Sequence, residues 1–364
     1  EHPAIQDQYR GDATDHNYHW HDAIHTTISG SNNSCGYDSK VPCDDDTHGT
    51  HTMGTMVGDD GNGNQIGAAP EATWVGCRNM DNGWGTPATY IECFEWFLAP
   101  TDTNNLNPSP LQAPHVIANS WGCPPSEGCN TSNFQVMRQA VINLRNAGVF
   151  IEVSAGNSGP GCETIDSPAA IYEESFTVGA TNIGDGLTGF SSRGVVSADS
   201  SNRMKPNVCA PGQGIRSCLP GNGYGTKSGT SMAGPHVAGA VALLIAAQPA
   251  LAGNVDSLET ILEMTCDTIL ATDSCGNVLP TVFPNNMVGY GRINLDKALR
   301  LIRPDLYSNI IQIKNNTLMV YPNPVDNQLI VQVQHPLGAT TVSITNVMGQ
   351  TVEQHKLTIN DKVT

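Results

Sequence analysis

The chain has 364 residues, of which 17 are Lys or Arg and 34 are Asp or Glu, so its formal net charge is −17 at pH 7. An acidic surface disfavours nucleic acids and anionic membranes as partners, because phosphate binding requires clusters of Lys and Arg. The hydrophobic fraction of 39% is too high for a disordered chain. The longest apolar run, 237–247, is about half as long as the roughly 20 residues of a membrane-spanning helix. We therefore expect a loop-rich globular protein without a membrane span.

Short apolar stretches alternate with amphipathic ones over about residues 67–239. The predicted strands are 73–77, 115–121, 149–154 and 176–180, and the predicted helices between them are 87–98 and 134–147. This alternation predicts an α/β fold, in which a parallel sheet is flanked by helices. A last amphipathic helix is predicted over 292–302, before Pro304.

The composition changes after Pro304, where residues at 329–333 and 341–344 alternate with a period of two. This pattern predicts a small all-β domain resembling a sandwich. We predict three regions: a large domain over residues 1–303, a linker over 304–318 and a small domain over 319–364.

Eleven cysteines are present, and none forms a Cys-x-x-Cys pair, which argues against a zinc ribbon or a thioredoxin-type site. Short-range disulfides in a secreted protein are the better interpretation. From loop length alone, the predicted pairs are Cys35–Cys43, Cys77–Cys93, Cys123–Cys129 and Cys266–Cys275. Because eleven is odd, at least one thiol is expected to have no partner.

Ser231 lies in the segment Ser228-Gly229-Thr230-Ser231, shortly before the apolar run 237–247. A serine in the first turn of a helix has a free backbone N–H, and the helix dipole favours negative charge beside it. An acyl-transfer nucleophile needs both properties, because the attacked carbonyl oxygen becomes an oxyanion. A serine that only caps the helix has the same sequence context.

Two further segments carry polar side chains among small residues. In His48-Gly49-Thr50-His51, the imidazole of His48 could take a proton from a serine and pass it to a leaving group. A metal pair of His48 with His51, or a polar helix cap, is the alternative, and we interpret His51 as a packing residue. In the segment 153–159, a strand runs into a glycine-rich turn where the Asn157 amide could donate a hydrogen bond. An isolated Asn in a turn is usually structural.

Together, the three segments resemble the histidine, asparagine and serine blocks of the subtilisin-like serine proteases, the subtilase family. The resemblance covers about residues 1–303 and continues at 119–122, 208–212 and 289–291. The segments 2–5 and 64–67 resemble those of the bacillopeptidase F branch of that family.

The resemblance implies a secreted serine endopeptidase that cleaves proteins or peptides through an acyl-enzyme. His48 would be the general base, Ser231 the nucleophile and Asn157 the oxyanion donor. A substrate strand would add to an edge between two short segments. These substrate-binding residues would be Ser120, Trp121 and Gly122 on one side, and Ala155 and Gly156 on the other.

The family's Asp-Thr/Ser-Gly strand end, which normally precedes the His-Pro-Ala segment, is not found in this sequence. Asp12, Asp15 and 44–46 are the candidates within the chain, but none follows a buried strand into such a turn. We therefore expect the chain to be a fragment whose orienting Asp precedes Glu1. No cofactor or metal ligand set is assigned. A structural Ca²⁺ at 44–46 or 59–60 is possible, and a solvated acidic loop is the alternative.

The C-terminal region resembles the type A sorting domain of the type IX secretion system, through residues 320–324, 342–344 and 348–350. The resemblance implies the secretion machinery as a partner and export across the outer membrane, to the medium or the cell surface. We expect this domain to be truncated too, and an unrelated accessory β-sandwich is the alternative.

Two other functions are compatible with parts of the sequence. One is a binding or scaffold protein with a subtilase fold and no turnover. The other is an esterase of the α/β-hydrolase type, which is disfavoured because Gly-x-Ser-x-Gly is absent around Ser231 and His48 precedes the serine.

Overall fold

The computed structural model describes residues 2–30, 33–269, 271, 273–276 and 278–306, together with four strands in the range 318–359. The chain divides into two compact units, Glu1–Ala298 and Leu299–Thr364. The division falls a few residues before the predicted domain boundary at 303. Most of the predicted linker, residues 307–317, lies outside the described residues.

The first unit is built around a parallel sheet. Its strands β1 to β8 are Trp20–Asp22, Gly76–Arg78, Val116–Asn119, Phe150–Ser154, Phe176–Thr181, Val208–Pro211, Ile215–Cys218 and Tyr224–Lys227. The central sheet has the order β3-β4-β5-β6 with all neighbours parallel. A parallel pair β1-β2 and an antiparallel pair β7-β8 accompany it. The predicted α/β fold is confirmed, although β6 and the short strands β1, β7 and β8 were not predicted.

Seven α-helices accompany these strands in the part of the chain that the structure describes. They are α1 to α7, with the bounds Pro3–Gln6, His48–Val57, Pro87–Leu98, Phe134–Asn146, Thr230–Ala247, Val255–Met264 and Leu295–Ile302. Helix α3 has the predicted bounds and a capping box, in which the Thr86 side chain accepts from the Thr89 N–H. All residues of β4 and β5 are buried, which explains why their sequences are apolar runs and not alternating patterns.

Helix α5 is the core helix of this unit and packs against α2 and strands β3 to β6. It has the length and apolar composition of a membrane span, but most of its residues are buried inside the fold. Its apolar sequence is therefore explained by burial on several sides.

Three of the four predicted disulfides are confirmed: Cys35–Cys43, Cys77–Cys93 and Cys123–Cys129. The prediction of Cys266–Cys275 is wrong, because Cys275 pairs with Cys162, which is 113 residues away in sequence, with a Cα–Cα distance of 5.4 Å. The Cys266 thiol instead donates to the Leu262 carbonyl at the end of α6. Chain folding, which loop length does not reveal, brings Cys162 to Cys275.

The second unit contains two antiparallel strand pairs among its described residues. Strand β9 (Leu318–Tyr321) pairs with β10 (Ile330–Val333), and β11 (Gly338–Thr345) pairs with β12 (Thr351–Ile359). These strands agree with an all-β domain. The residues 322–324 and 348–350, which contribute to the predicted sorting motif, lie outside the described residues.

Glu152 is a fully buried carboxyl group in the middle of β4. The glycine at position 234 of α5 makes room for it, since a Cβ there would lie 1.9 Å from Glu152 Oε1. Neither carboxyl oxygen has a hydrogen-bond partner among the described residues. Burial raises the pKa of Glu152 well above its ordinary value, which favours the neutral carboxylic acid in the folded protein.

We predict that Glu152→Gln stabilises the protein at neutral pH and has little effect near pH 4. The unfolded chain ionises this carboxyl near its ordinary pKa and the folded chain does not, so wild-type stability falls as pH rises. Between the ordinary pKa of a glutamate carboxyl and the raised pKa of Glu152, each pH unit lowers the wild-type free energy of unfolding by up to about 1.4 kcal/mol relative to that of the variant. Denaturant unfolding of both proteins from pH 4 to pH 8 measures the difference. A difference independent of pH would contradict the neutral state of Glu152.

Candidate active site

Ser231 is the second residue of α5 and lies at the helix N-terminus. The residues before it are fixed to the sheet region, because the Gly229 N–H donates to the Gly212 carbonyl at 2.8 Å. In this first turn the Thr230 N–H donates to Asn157 Oδ1 and the Met232 N–H donates to the Gly229 carbonyl, whereas the Ser231 N–H has no helical acceptor. A negative charge that develops beside Ser231 is therefore stabilised by the Ser231 N–H and by the helix dipole.

Ser120 and Ser231 exchange two hydrogen bonds. The Ser120 hydroxyl donates to the Ser231 carbonyl at 3.1 Å, and the Ser231 hydroxyl donates to the Ser120 carbonyl, also at 3.1 Å. An α-helix would supply the Ser231 carbonyl with the N–H of residue 235, but that residue is proline. Pro235 thus leaves an acceptor in the first turn of α5 that the Ser120 side chain can satisfy.

The Asn157 side chain is hydrogen-bonded to Thr230, the residue before Ser231. Its Oδ1 accepts from the Thr230 N–H at 2.9 Å and from the Thr230 hydroxyl at 3.2 Å. Because a backbone N–H can only donate, these bonds fix the amide orientation and leave the Asn157 Nδ2 group free to donate elsewhere. This Nδ2 lies 3.4 Å from where a Cβ on Gly229 would stand. The turn requires Gly156, which has φ +101° and whose N–H donates to Thr230 Oγ1 at 3.1 Å.

His48 is the first residue of α2, the helix that packs against α5. Asp44 organises this helix start: its Oδ2 accepts from the Thr50 N–H at 2.7 Å, and its Oδ1 accepts from the Thr47 N–H at 2.8 Å. His51, one turn further along, is fully buried, and its Nε2 contacts the carbonyl oxygens of Ile215 and Gly225. These contacts agree with the interpretation of His51 as a packing residue.

The environment of His48 favours its neutral form. Burial lowers the pKa of His48, and the Lys227 ammonium group, which donates to Thr47 Oγ1 at 2.8 Å, lowers it further. The carboxylates of Asp46 and Asp44 act in the opposite direction. A neutral imidazole at neutral pH is the form that can accept a proton.

In the structure, the Ser231 hydroxyl is bonded to Ser120 and not to His48. No carboxylate of the described residues is hydrogen-bonded to His48. Asp12 caps its own turn through the Thr14 N–H, and Asp45 pairs with the Arg78 guanidinium. The group that would orient the imidazole stays unassigned.

The acidic segments considered for Ca²⁺ make hydrogen bonds to the chain itself. Besides the contacts of Asp44 and Asp45, Asp60 Oδ1 accepts from the Asn62 N–H at 2.9 Å, and its Oδ2 accepts from the Tyr224 hydroxyl at 3.2 Å. Within the described ranges, no group of three or more His, Cys, Asp or Glu residues is arranged to hold a metal ion.

The two predicted substrate-binding segments follow adjacent strands. Ser120 to Gly122 follow β3, and Ala155 and Gly156 follow β4; these strands are parallel, with Asn119 in register with Val153. Trp121 stacks on the buried ring of Tyr90, with 3.9 Å between ring centroids and an interplanar angle of 5°. The Tyr90 hydroxyl donates to Glu127 at 2.6 Å.

The roles of Thr230, Pro235 and the Ser120 side chain in fixing this site were not predicted from the sequence. The position of Pro235 in the sequence could have predicted part of this arrangement, because a proline four residues after Ser231 leaves the Ser231 carbonyl without its helical N–H donor. The contacts of Thr230 and Ser120 join segments that are 73 and 111 residues apart, and no local pattern reports such contacts.

Comparison with known proteins identifies the class of this fold and site. Residues 1–291 match the subtilase family, and residues 319–364 match the secretion system C-terminal sorting domain. The chain belongs to the subtilase family. The sorting domain indicates export across the outer membrane.

Several characterised proteins are similar to this chain. Bacillopeptidase F of Bacillus subtilis (strain 168) is 38% identical over 84% of this chain and 20% of its own length. The major intracellular serine protease of the same strain is 34% identical over 54% of this chain and 54% of its own length. Serine protease AprX, also from that strain, is 30% identical over 71% of this chain and 59% of its own length. The chain thus spans about a fifth of Bacillopeptidase F and a little over half of the other two.

We predict that Asn157→Ala lowers kcat by about 10²–10³-fold and leaves KM nearly unchanged, a magnitude known for an oxyanion-hole amide of subtilisin. The amide would donate to the oxygen only once negative charge develops on it. Steady-state kinetics on a peptide substrate measure the two constants. A rise in KM with unchanged kcat would assign Asn157 to ground-state binding instead.

The charges beside His48 predict two opposite shifts. Lys227→Gln removes a cation and should raise the pKa of His48, whereas Asp46→Asn removes an anion and should lower it. An NMR titration of the imidazole Cε1–H, assigned with a His48→Gln variant, measures both without relying on activity. Shifts in the same direction would contradict this electrostatic account.

Proposed function

We propose that the chain is a serine endopeptidase that hydrolyses peptide bonds of proteins through an acyl-enzyme formed on Ser231. His48 acts as the general base and then as the general acid, and Asn157 donates to the oxyanion. The observation that carries this proposal is the fixing of Asn157 on Thr230, because it holds a free amide donor next to a serine at a helix N-terminus.

The chemistry follows from the positions of these groups. His48 removes the proton of the Ser231 hydroxyl as its oxygen attacks the carbonyl carbon of the substrate. The negative charge that develops on the carbonyl oxygen faces the N-terminus of α5 and the Asn157 amide. The protonated imidazole then donates its proton to the leaving amine, and water hydrolyses the ester with the same two groups reversing their roles.

The family membership and the serine protease relatives support this activity. The sorting domain supports an extracellular protease, and the −17 charge disfavours nucleic acids and anionic membranes as its partners. The partners would therefore be protein substrates and, through residues 319–364, the secretion machinery.

A fluorophosphonate probe tests the proposal directly, because it reacts with an activated serine and not with an ordinary one. We expect the full-length protein to be labelled on Ser231, with labelling and proteolysis both lost in Ser231→Ala. Ser257→Ala is the matched control, since Ser257 lies in the first turn of α6, where the Asn254 side chain accepts from its N–H at 3.2 Å. A folded protein that is neither labelled nor proteolytic would favour the scaffold function.

A further inference from the structure

We propose that Asp166 determines the substrate preference of this site, and that the residue contributing the attacked carbonyl is Lys or Arg. The inference rests on the proposed function and extends it to a substrate class. Two points support the inference: the place where the side chain of this substrate residue must lie, and the carboxylate that faces this place.

The positions of Ser231 and Asn157 define where the side chain enters. The carbonyl carbon must lie against Ser231 Oγ, and its oxygen must face Asn157 Nδ2. The side chain on the adjoining carbon therefore points between the segments 120–122 and 155–157. These segments leave the carboxyl ends of the neighbouring parallel strands β3 and β4. We call the two segments the walls of the site and the space between them the crevice.

The segment 165–169 closes this crevice from below. The Cys123 N–H donates to the Pro168 carbonyl at 3.1 Å, and a Cβ on Gly122 would lie 3.1 Å from Ser167 Oγ. The segment is also linked to the other wall through residues 192 and 193. The Thr164 N–H donates to the Arg193 carbonyl at 2.9 Å, and the Ser192 N–H donates to the Gly156 carbonyl, also at 2.9 Å. A side chain that passes between the two walls thus ends at residues 166 and 167.

Asp166 is an exposed carboxylate in this otherwise largely buried segment. No Lys, Arg or His of the described residues forms an ion pair with it. Arg193, whose carbonyl accepts from the Thr164 and Ile165 N–H groups, is already paired with Asp273 at 2.8 Å. The surrounding protein atoms raise the pKa of Asp166. An ionised carboxylate without an ion-pair partner attracts a cation, and more strongly where protein atoms displace water around it.

The charges near His48, on the other side of the site, do not oppose a preference for a cationic side chain. Lys227 and Asp46 both act on His48 and carry opposite signs, so their effects on an approaching cation partly cancel. The net charge of −17 further favours the approach of cationic segments of a substrate.

Peptide substrates that differ only in the residue before the cleaved bond test the inference. Arg is compared with citrulline, which has nearly the same shape without the charge, and with Leu. We expect kcat/KM for Arg to exceed that for citrulline at least about tenfold in the full-length protein. In Asp166→Asn, which keeps the side-chain shape, the ratio should fall to near one. Glu71→Gln removes an exposed carboxylate away from the crevice and should leave the ratio unchanged.

Titration of Ser231 with a fluorophosphonate distinguishes a wrong role of Asp166 from a wrong proposed function. If each variant is labelled on Ser231 but the wild type cleaves Arg and citrulline peptides equally, or prefers Leu, the role of Asp166 is wrong. An Arg preference that persists in Asp166→Asn would also overturn it. If no labelling and no hydrolysis occur with any peptide, the proposed function itself fails.

Discussion

The carbonyl of Ser231 has no helical N–H donor, and much of the site's geometry depends on how that acceptor is satisfied. Pro235 cannot supply the hydrogen bond that continues an α-helix. The Ser120 hydroxyl supplies it from the loop after β3, and the Ser231 hydroxyl returns a bond to the Ser120 carbonyl. The proline thus lies early enough in α5 to leave the helix intact, and the bond it removes is replaced by a link between helix and sheet. That link holds the serine at the edge where a substrate strand would bind.

A second link fixes the same helix end from the neighbouring strand. The Thr230 N–H and hydroxyl both donate to Asn157 Oδ1, and the Thr230 hydroxyl oxygen accepts from the Gly156 N–H. Ser231 is therefore positioned from both β3 and β4, and the crevice between those strands is defined together with it. Preorganisation of this kind lets an amide stabilise an oxyanion without reorganising during the reaction.

The sequence predicted the fold class, the bounds of α3 and the central strands β3 to β5, because burial and helical periodicity are properties of contiguous residues. It did not predict β6, the fourth central strand. It predicted three disulfides correctly, since loops of 6 to 16 residues keep their ends close. It failed for Cys275, whose partner is Cys162. It also missed β7 and β8, which are four residues long; β8 includes the glycine at position 225. The positions of His48, Asn157 and Ser231 came from motifs, whereas the contacts of Thr230 and Ser120 that fix the site arise from the tertiary fold.

The Ser120 carbonyl connects substrate binding with the state of the nucleophile. In the structure this oxygen accepts the Ser231 hydroxyl proton, so that proton is directed away from His48. The same oxygen follows β3 on the edge where a peptide strand is proposed to add, and strand addition proceeds through backbone N–H groups that donate to such carbonyls. This oxygen has two lone pairs, so it can accept a peptide N–H in addition to the Ser231 hydroxyl proton. Under the proposed function, a bound peptide therefore shares the acceptor of the nucleophile. A weaker bond to Ser120 would favour rotation of the hydroxyl toward the imidazole of His48, whose pKa is lowered by burial and by Lys227.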